Sequence, residues 1–136
     1  MYLLDTNIFL ELILDQEKAD DVEKFLRSAQ KEKLYISEFS LYSVGIILFR
    51  QKLYDIFIRF VDDLIFTYGI HLVKLAPKDI KQLVEVAKQF NLDFDDAYQY
   101  TIAELYDLKI VSFDSDFDRT KRGRKTPEDI LKEFKL

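Results

Sequence analysis

Four short apolar runs, spaced about a third of a hundred residues apart, constrain this chain most: "YLL" (2–4), "LYIS" (34–37), "IHLVKL" (70–75) and "KIVSF" (109–113). Each is long enough for one strand, and between them the apolar residues recur at helical spacing. Ala19, Val22, Phe25, Leu26 and Ala29 form one such stripe; Phe57, Phe60, Val61 and Leu64 form another; Ile80, Leu83, Val84, Ala87 and Phe90 form a third. Strands that alternate with helices predict an α/β fold with a mainly parallel sheet. "NIFLELIL" after Asp5 reads as a short helix, and Pro77 suits a first helical turn. A further helix is expected to begin near Asp93–Asp95, where acids complement the helix dipole. "TPED" (126–129) offers Thr126 as an N-cap with Pro127 behind it. Residues 38–50 are apolar and open to either reading, helix or, through Val44, Ile46 and Ile47, strand.

The chain has 136 residues, which predicts one domain over 1–136. A hydrophobic fraction of 49% with 15% aromatics suits a packed core and excludes disorder. The absence of cysteine excludes a disulfide framework and thiolate metal sites. No signal-peptide pattern opens the sequence, and "LYSVGIILF" (41–49) is well short of the ~20 residues a membrane span needs. These features predict a cytoplasmic protein without a membrane partner. Twenty Lys and Arg against 25 Asp and Glu leave a net charge of −5. Phosphate affinity comes mainly from cations, so the total charge does not suggest nucleic-acid binding. The exception is "RTKRGRK" (119–125), which on charge alone reads as a solvated loop.

In open α/β sheets, ligands gather beyond the carboxyl ends of the strands. Asp5 follows the first strand, and Asp114 and Asp116 follow the last. Asp96 opens the helix leading into that last strand, so its N-terminal end faces the same edge. Three chain segments thus deliver carboxylates to one place. Close carboxylates raise one another's pKa, and a divalent cation relieves the conflict. Mg²⁺ takes hard oxygen ligands of this kind, and the chemistry such a cluster suits is phosphodiester hydrolysis. A calcium-binding EF-hand built on Asp114, Asp116 and Asp118 fails, because Arg119 and Lys125 stand where Gly and Glu are required. An aspartyl-nucleophile phosphatase of the haloacid-dehalogenase type would want a second Asp at Asn7. Asp93, Asp95 and Asp118 read as caps or surface charges.

With "LLDTNIFLEL", "ISEFSLYSVGIIL" and "FDDAYQYTIAELYDLKIVSFDSDFD" in this order, nearly the whole chain resembles the PIN-domain family and its VapC-like toxin ribonucleases. The first and last pieces are specific together and weak alone. The resemblance implies a three-layer α/β/α domain with a short central sheet of four or five strands. It implies an acidic site of Asp5, Asp96, Asp114 and Asp116, with Asp5, Asp96 and Asp114 as metal ligands and Asp116 in support. Thr6, Asn7 and Ser112 match small polar positions that assist the acids. It further implies single-stranded RNA as substrate, Mg²⁺ or Mn²⁺ as cofactor, an antitoxin protein as partner, and a homodimer. One departure stands out: Ser43 occupies a position where the family's pattern has Glu. Glu38 lies five residues earlier, ~140° around a helix, and is no simple substitute. The expected function is therefore a metal-dependent endoribonuclease, with a catalytically weakened binding protein as the alternative.

Beside a metal site the basic loop gains a second reading: Arg119, Lys121, Arg122, Arg124 and Lys125 could hold an RNA backbone. The single histidine, His71, sits in an alternating strand and is not expected to act in catalysis. Tyr98, Tyr100 and Tyr106 could stack on bases, but their helical spacing favours packing. The aromatic-rich region 41–66 is expected to supply part of an interface.

Overall fold

All four apolar runs become strands of one parallel sheet: β1 Tyr2–Leu4, β2 Leu34–Ser37, β3 His71–Val73 and β4 Lys109–Val111. The computed structural model describes residues 1–29 and 32–135. The strand order is β3-β2-β1-β4, so the first strand of the chain lies between the second and the last. Tyr2 sits opposite both Leu34 and Lys109, and Leu4 opposite Val111. Beyond the four strands, Lys125 makes one parallel bridge to Val111.

Side chains alternate across a strand, and the core divides accordingly. Tyr2, Leu4, Ile36 and Val111 face one apolar cluster, whereas Leu3 and Ile110 face another. The first cluster is completed by helices α1 (Thr6–Ile13), α2 (Ala19–Ser28), α3 (Glu38–Arg50), α4 (Tyr54–Asp62) and α7 (Pro127–Phe134). The second is completed by α5 (Ile80–Phe90) and α6 (Phe94–Tyr106). The result is the expected α/β/α sandwich, with both faces of a short sheet covered. Fully enclosed side chains such as Leu3, Ile8 and Ile102 each contribute about 1.5–3 kcal/mol through burial.

The ambiguous segment 38–50 is helix α3. Ser37 ends β2 and at once caps α3, its side chain accepting from the Ser40 N–H at 3.0 Å. That local bond outweighs the strand propensity of Val44, Ile46 and Ile47. The stripe over 53–66 is only partly regular. α4 ends at Asp62, and the chain continues as a wider π-helical turn, Asp63–Thr67, that leaves Phe66 80% exposed. Gly45 lets α3 and α4 approach, since a Cβ there would lie 2.9 Å from the Phe57 ring. Among the described residues no helix is long and apolar enough to cross a membrane.

From β1 the chain steps outward through β2 to β3, then returns to the other side of β1 for β4. The strand order therefore reverses between β1 and β4. In open parallel sheets the crevice at such a switch point, at the carboxyl ends of the strands, is where ligands bind.

Candidate metal centre

Two aspartates and one segment of turn converge at this crevice because each terminates or begins a regular element there. Asp5 ends β1 and caps α1, its Oδ1 accepting from the Thr6 N–H at 2.9 Å. Asp96 lies in the first turn of α6, whose N-cap Asp93 accepts from the Asp96 N–H at 3.2 Å. Asp114 follows β4 and caps the short 3-10 turn Ser115–Arg119, accepting from the Asp116 N–H at 2.8 Å. The cap thus sets the spacing of the last two acids.

Oxygens of Asp96, Asp114 and Asp116 all lie within 4.8 Å of one another. Asp5 stands beside this trio in a different setting. Its Oδ1 also accepts from Gln99 Nε2 at 3.0 Å, and its Oδ2 accepts from Ser112 Oγ at 2.7 Å and Asn7 Nδ2 at 3.4 Å. Asn7 in turn donates to Ser112 Oγ at 3.2 Å and accepts from the Phe113 N–H at 3.2 Å, clasping the end of β4. Thr6 Oγ1 donates to Ser40 Oγ at 2.8 Å. Thr6, Asn7 and Ser112 therefore all join the hydrogen-bond network around Asp5. Ser43 makes none of these bonds; it lines a cavity of about 250 Å³ together with Asp5, Asp96, Gln99 and Asp114.

Burial and like charge act together here. Asp96 is 7% exposed, and loss of solvation, then Asp114, Asp93, Asp5 and Asp116, push its pKa up to about 8. Burial also raises Asp5, against the lowering effect of its bonds from Gln99, Ser112 and Thr6. A divalent cation would remove the conflict at Asp96. The donors are hard carboxylate oxygens close enough to share one ion, so the residues present fit Mg²⁺ or Mn²⁺.

Gln99 was not foreseen from the sequence. Its Nε2 donates to both Asp5 Oδ1 and Ser40 Oγ, the latter at 2.7 Å, while its Oε1 is buried without a hydrogen-bond partner. An unpaired buried carbonyl costs about 1–3 kcal/mol. The signal was available: Gln99 is three residues beyond Asp96, on the same side of α6, and polar among the buried Ala97, Tyr100, Ile102 and Ala103.

The basic loop is largely occupied by internal pairs. Arg119 meets Asp116 at 3.0 Å, Arg122 meets Asp107 at 2.7 Å, Arg124 meets Asp118 at 3.1 Å, and Lys125 pairs with Glu133. Arg124 also donates to the Ser112 carbonyl at 3.2 Å, and Arg119 to the Asn91 carbonyl at 2.7 Å. Lys121 joins no ion pair among the described residues. His71 lies on the edge strand, its ring tilted 34° against that of Tyr35 with centroids 5.1 Å apart, and does not line the acid cavity. The hydroxyls of Tyr98 and Tyr100 accept from the backbone N–H groups of Leu75 and Arg122, so both rings serve packing.

A family model described as "PIN domain" matches residues 2–123. Solved structures with the same fold include a toxin–antitoxin complex from Klebsiella pneumoniae, 21% identical with a TM-score of 0.75, covering 93% of this chain and 98% of that one. VapBC2 from Rickettsia felis, bound to a promoter DNA fragment, is 16% identical with a TM-score of 0.75 and coverages of 91% and 96%. The sarcin–ricin-loop-cleaving toxin VapC20 of Mycobacterium tuberculosis is 15% identical with a TM-score of 0.72 and coverages of 87% and 93%. No curated protein matches the chain by sequence.

Proposed function

The chain belongs to the PIN-domain family, and from that premise we propose that it is a metal-dependent endoribonuclease, the toxin of a toxin–antitoxin pair. The observation that carries this reading is the convergence of Asp96, Asp114 and Asp116 at the β1–β4 switch point, with Asp5 held beside them. Its relatives in structure include a sarcin–ricin-loop-cleaving toxin and two toxin–antitoxin assemblies.

In this reading Asp96, Asp114 and Asp116 hold Mg²⁺ or Mn²⁺, with Asp5 as a further ligand or as the anchor that fixes their spacing. When bound, the cation supplies neutralising charge for a phosphate and lowers the pKa of water beside it. Asp116, half exposed and paired with Arg119, would serve either as the third of these ligands or as the base that takes the proton from the attacking water. Asn7 and Ser112 keep the end of β4 against Asp5, which fixes where the phosphate can sit. Lys121, free of acid partners among the described residues, is the cation of the loop best able to meet an RNA backbone.

The same protein would act in the cytoplasm, where its RNA and a cognate antitoxin meet it. Exposed Tyr42, Ile46 and Phe49 on α3 and Ile58 on α4 support a protein-binding surface, for an antitoxin or a second copy. A homodimer is expected; a monomer by light scattering at micromolar concentration would reject it.

The absence of an acid at Ser43 favours one other reading, a binding protein of the same fold with a weakened site. Cleavage of single-stranded RNA separates the two. Activity that needs Mn²⁺ and is lost with EDTA or in Asp5→Asn supports the nuclease. Activity surviving both controls refutes the metal mechanism, and no cleavage by a chain that binds Mn²⁺ favours the binding protein.

A further inference from the structure

Position 43 lacks the acid that would have reached the centre from α3, yet α3 is still joined to the acids. The join is made by one carboxamide. Gln99 is 2% exposed and projects from α6 into the space between β1 and α3. Its Nε2 donates to Asp5 Oδ1 at 3.0 Å and to Ser40 Oγ at 2.7 Å. Ser40 is also bonded by Thr6 Oγ1, so α3 is tied to the segment after β1 by two routes. Gln99 Oε1, the other half of the carboxamide, is buried and accepts no bond. Gln99 and Ser43 line the same cavity as Asp5, Asp96 and Asp114.

The missing acid and the buried amide fit each other. A carboxylate from α3 would have been linked to the other acids through a shared cation. A neutral amide can make the same link directly, because it donates to a carboxylate without adding charge to a cluster already strained by repulsion. Resting on the nuclease reading of these acids, we propose that Gln99 is a positioning residue that replaces the acid absent from position 43. Its Nε2 locks α3 to Asp5.

The test is an Mn²⁺ titration of the full chain, followed by electron paramagnetic resonance, with RNA cleavage and thermal unfolding in EDTA run alongside. Gln99→Leu removes both halves of the carboxamide at similar volume. Outer contacts of this type alter metal affinity by about 10–100-fold, so the variant should bind Mn²⁺ about tenfold more weakly than wild type. Restoring the acid in that background, Ser43→Glu with Gln99→Leu, should recover most of the lost affinity and cleavage. Wild-type affinity in Gln99→Leu overturns the proposal. So does a folded Gln99→Leu chain that Ser43→Glu fails to rescue, because a purely structural role predicts that result. If Gln99→Leu does not fold, Ser40→Ala cuts the same link at its other end. It should lose about threefold in Mn²⁺ affinity and be rescued by Ser43→Glu, and an unchanged affinity overturns the proposal. Wild type that binds no Mn²⁺ at millimolar concentration rejects the nuclease reading and this role together. Normal Mn²⁺ binding by both wild type and Gln99→Leu rejects only the role of Gln99.

Discussion

Asp5 and Asp96 are equally buried, yet the protein treats them in opposite ways. Around Asp5 the neighbours are donors: the Thr6 N–H, Gln99, Ser112 and Asn7. Around Asp96 they are other acids, led by Asp114 and Asp93. Both carboxyls are pushed upward by burial; at Asp5 the bonds from Gln99, Ser112 and Thr6 oppose the push, with Asp114 adding only a smaller one, whereas at Asp96 the neighbouring acids all add to it. The contrast divides the labour of the centre. The Asp5 side is a preassembled scaffold that holds its shape through neutral hydrogen bonds. The Asp96 side is left electrostatically incomplete, and a cation would relieve that incompleteness.

The sharpest break of this contrast is a pair of substitutions with opposite signs. Asp5→Ala strands the donors of Gln99, Ser112 and Asn7, and should cost about 3 kcal/mol in denaturant unfolding as well as abolish cleavage. Asp96→Asn should also abolish cleavage, yet stabilise the metal-free chain by about 2 kcal/mol at pH 8, because it removes a repelled charge. Loss of stability in both variants would erase the distinction.

A further effect comes from pH. The folded pKa of Asp96 is about 8, far above the unfolded value near ~3.9, so the folded chain keeps a proton the unfolded chain has released. In EDTA this contribution to stability is complete below about pH 4 and is lost as pH rises through about 8. Melting temperature should therefore fall over that window, and Mn²⁺ should raise it more at pH 8 than at pH 5. The smallest expected change is at the rim. Arg119→Ala frees Asp116 and removes a guanidinium from the Phe90 and Asn91 carbonyls at the end of α5. The contact is half exposed, so unfolding should shift by only about 1 kcal/mol. Mn²⁺ affinity should rise slightly, since the cation no longer competes with Arg119 for Asp116.

Three strands were legible because buried parallel strands leave continuous apolar runs, and the exposed edge strand β3 was legible from its alternation; all four segments named from sequence contain the observed strands. The helix at Thr126–Pro127 was equally plain, since its capping box is written in local residues. What local pattern could not decide was α3, where β-branched residues compete with a cap, and the π-helical turn after Asp62, which depends on packing. In the candidate site, the acids announced themselves by standing at strand and helix ends. Gln99 did not, because a polar residue at one helical position shows its purpose only when Asp5 and Ser40 arrive from elsewhere. The basic loop took its RNA reading from its place beside the acids, and its internal partners stayed hidden, because Arg122 and Arg124 reach Asp107 and Asp118 across turns that sequence spacing does not reveal.

The placement of β1 between β2 and β4 also governs when the centre exists. The bonds from Ser112 and Gln99 to Asp5 span 107 and 94 residues of chain. Contacts so distant in sequence form late and slowly, after the loop-closure entropy has been met by hydrophobic pairing. A chain in which β4 has not yet docked beside β1 has scattered aspartates, each solvated and ordinary, and no crevice. The acids are forced together in the step that completes the sheet, so the crowded carboxylate centre appears with the native state and vanishes at the first opening of β4.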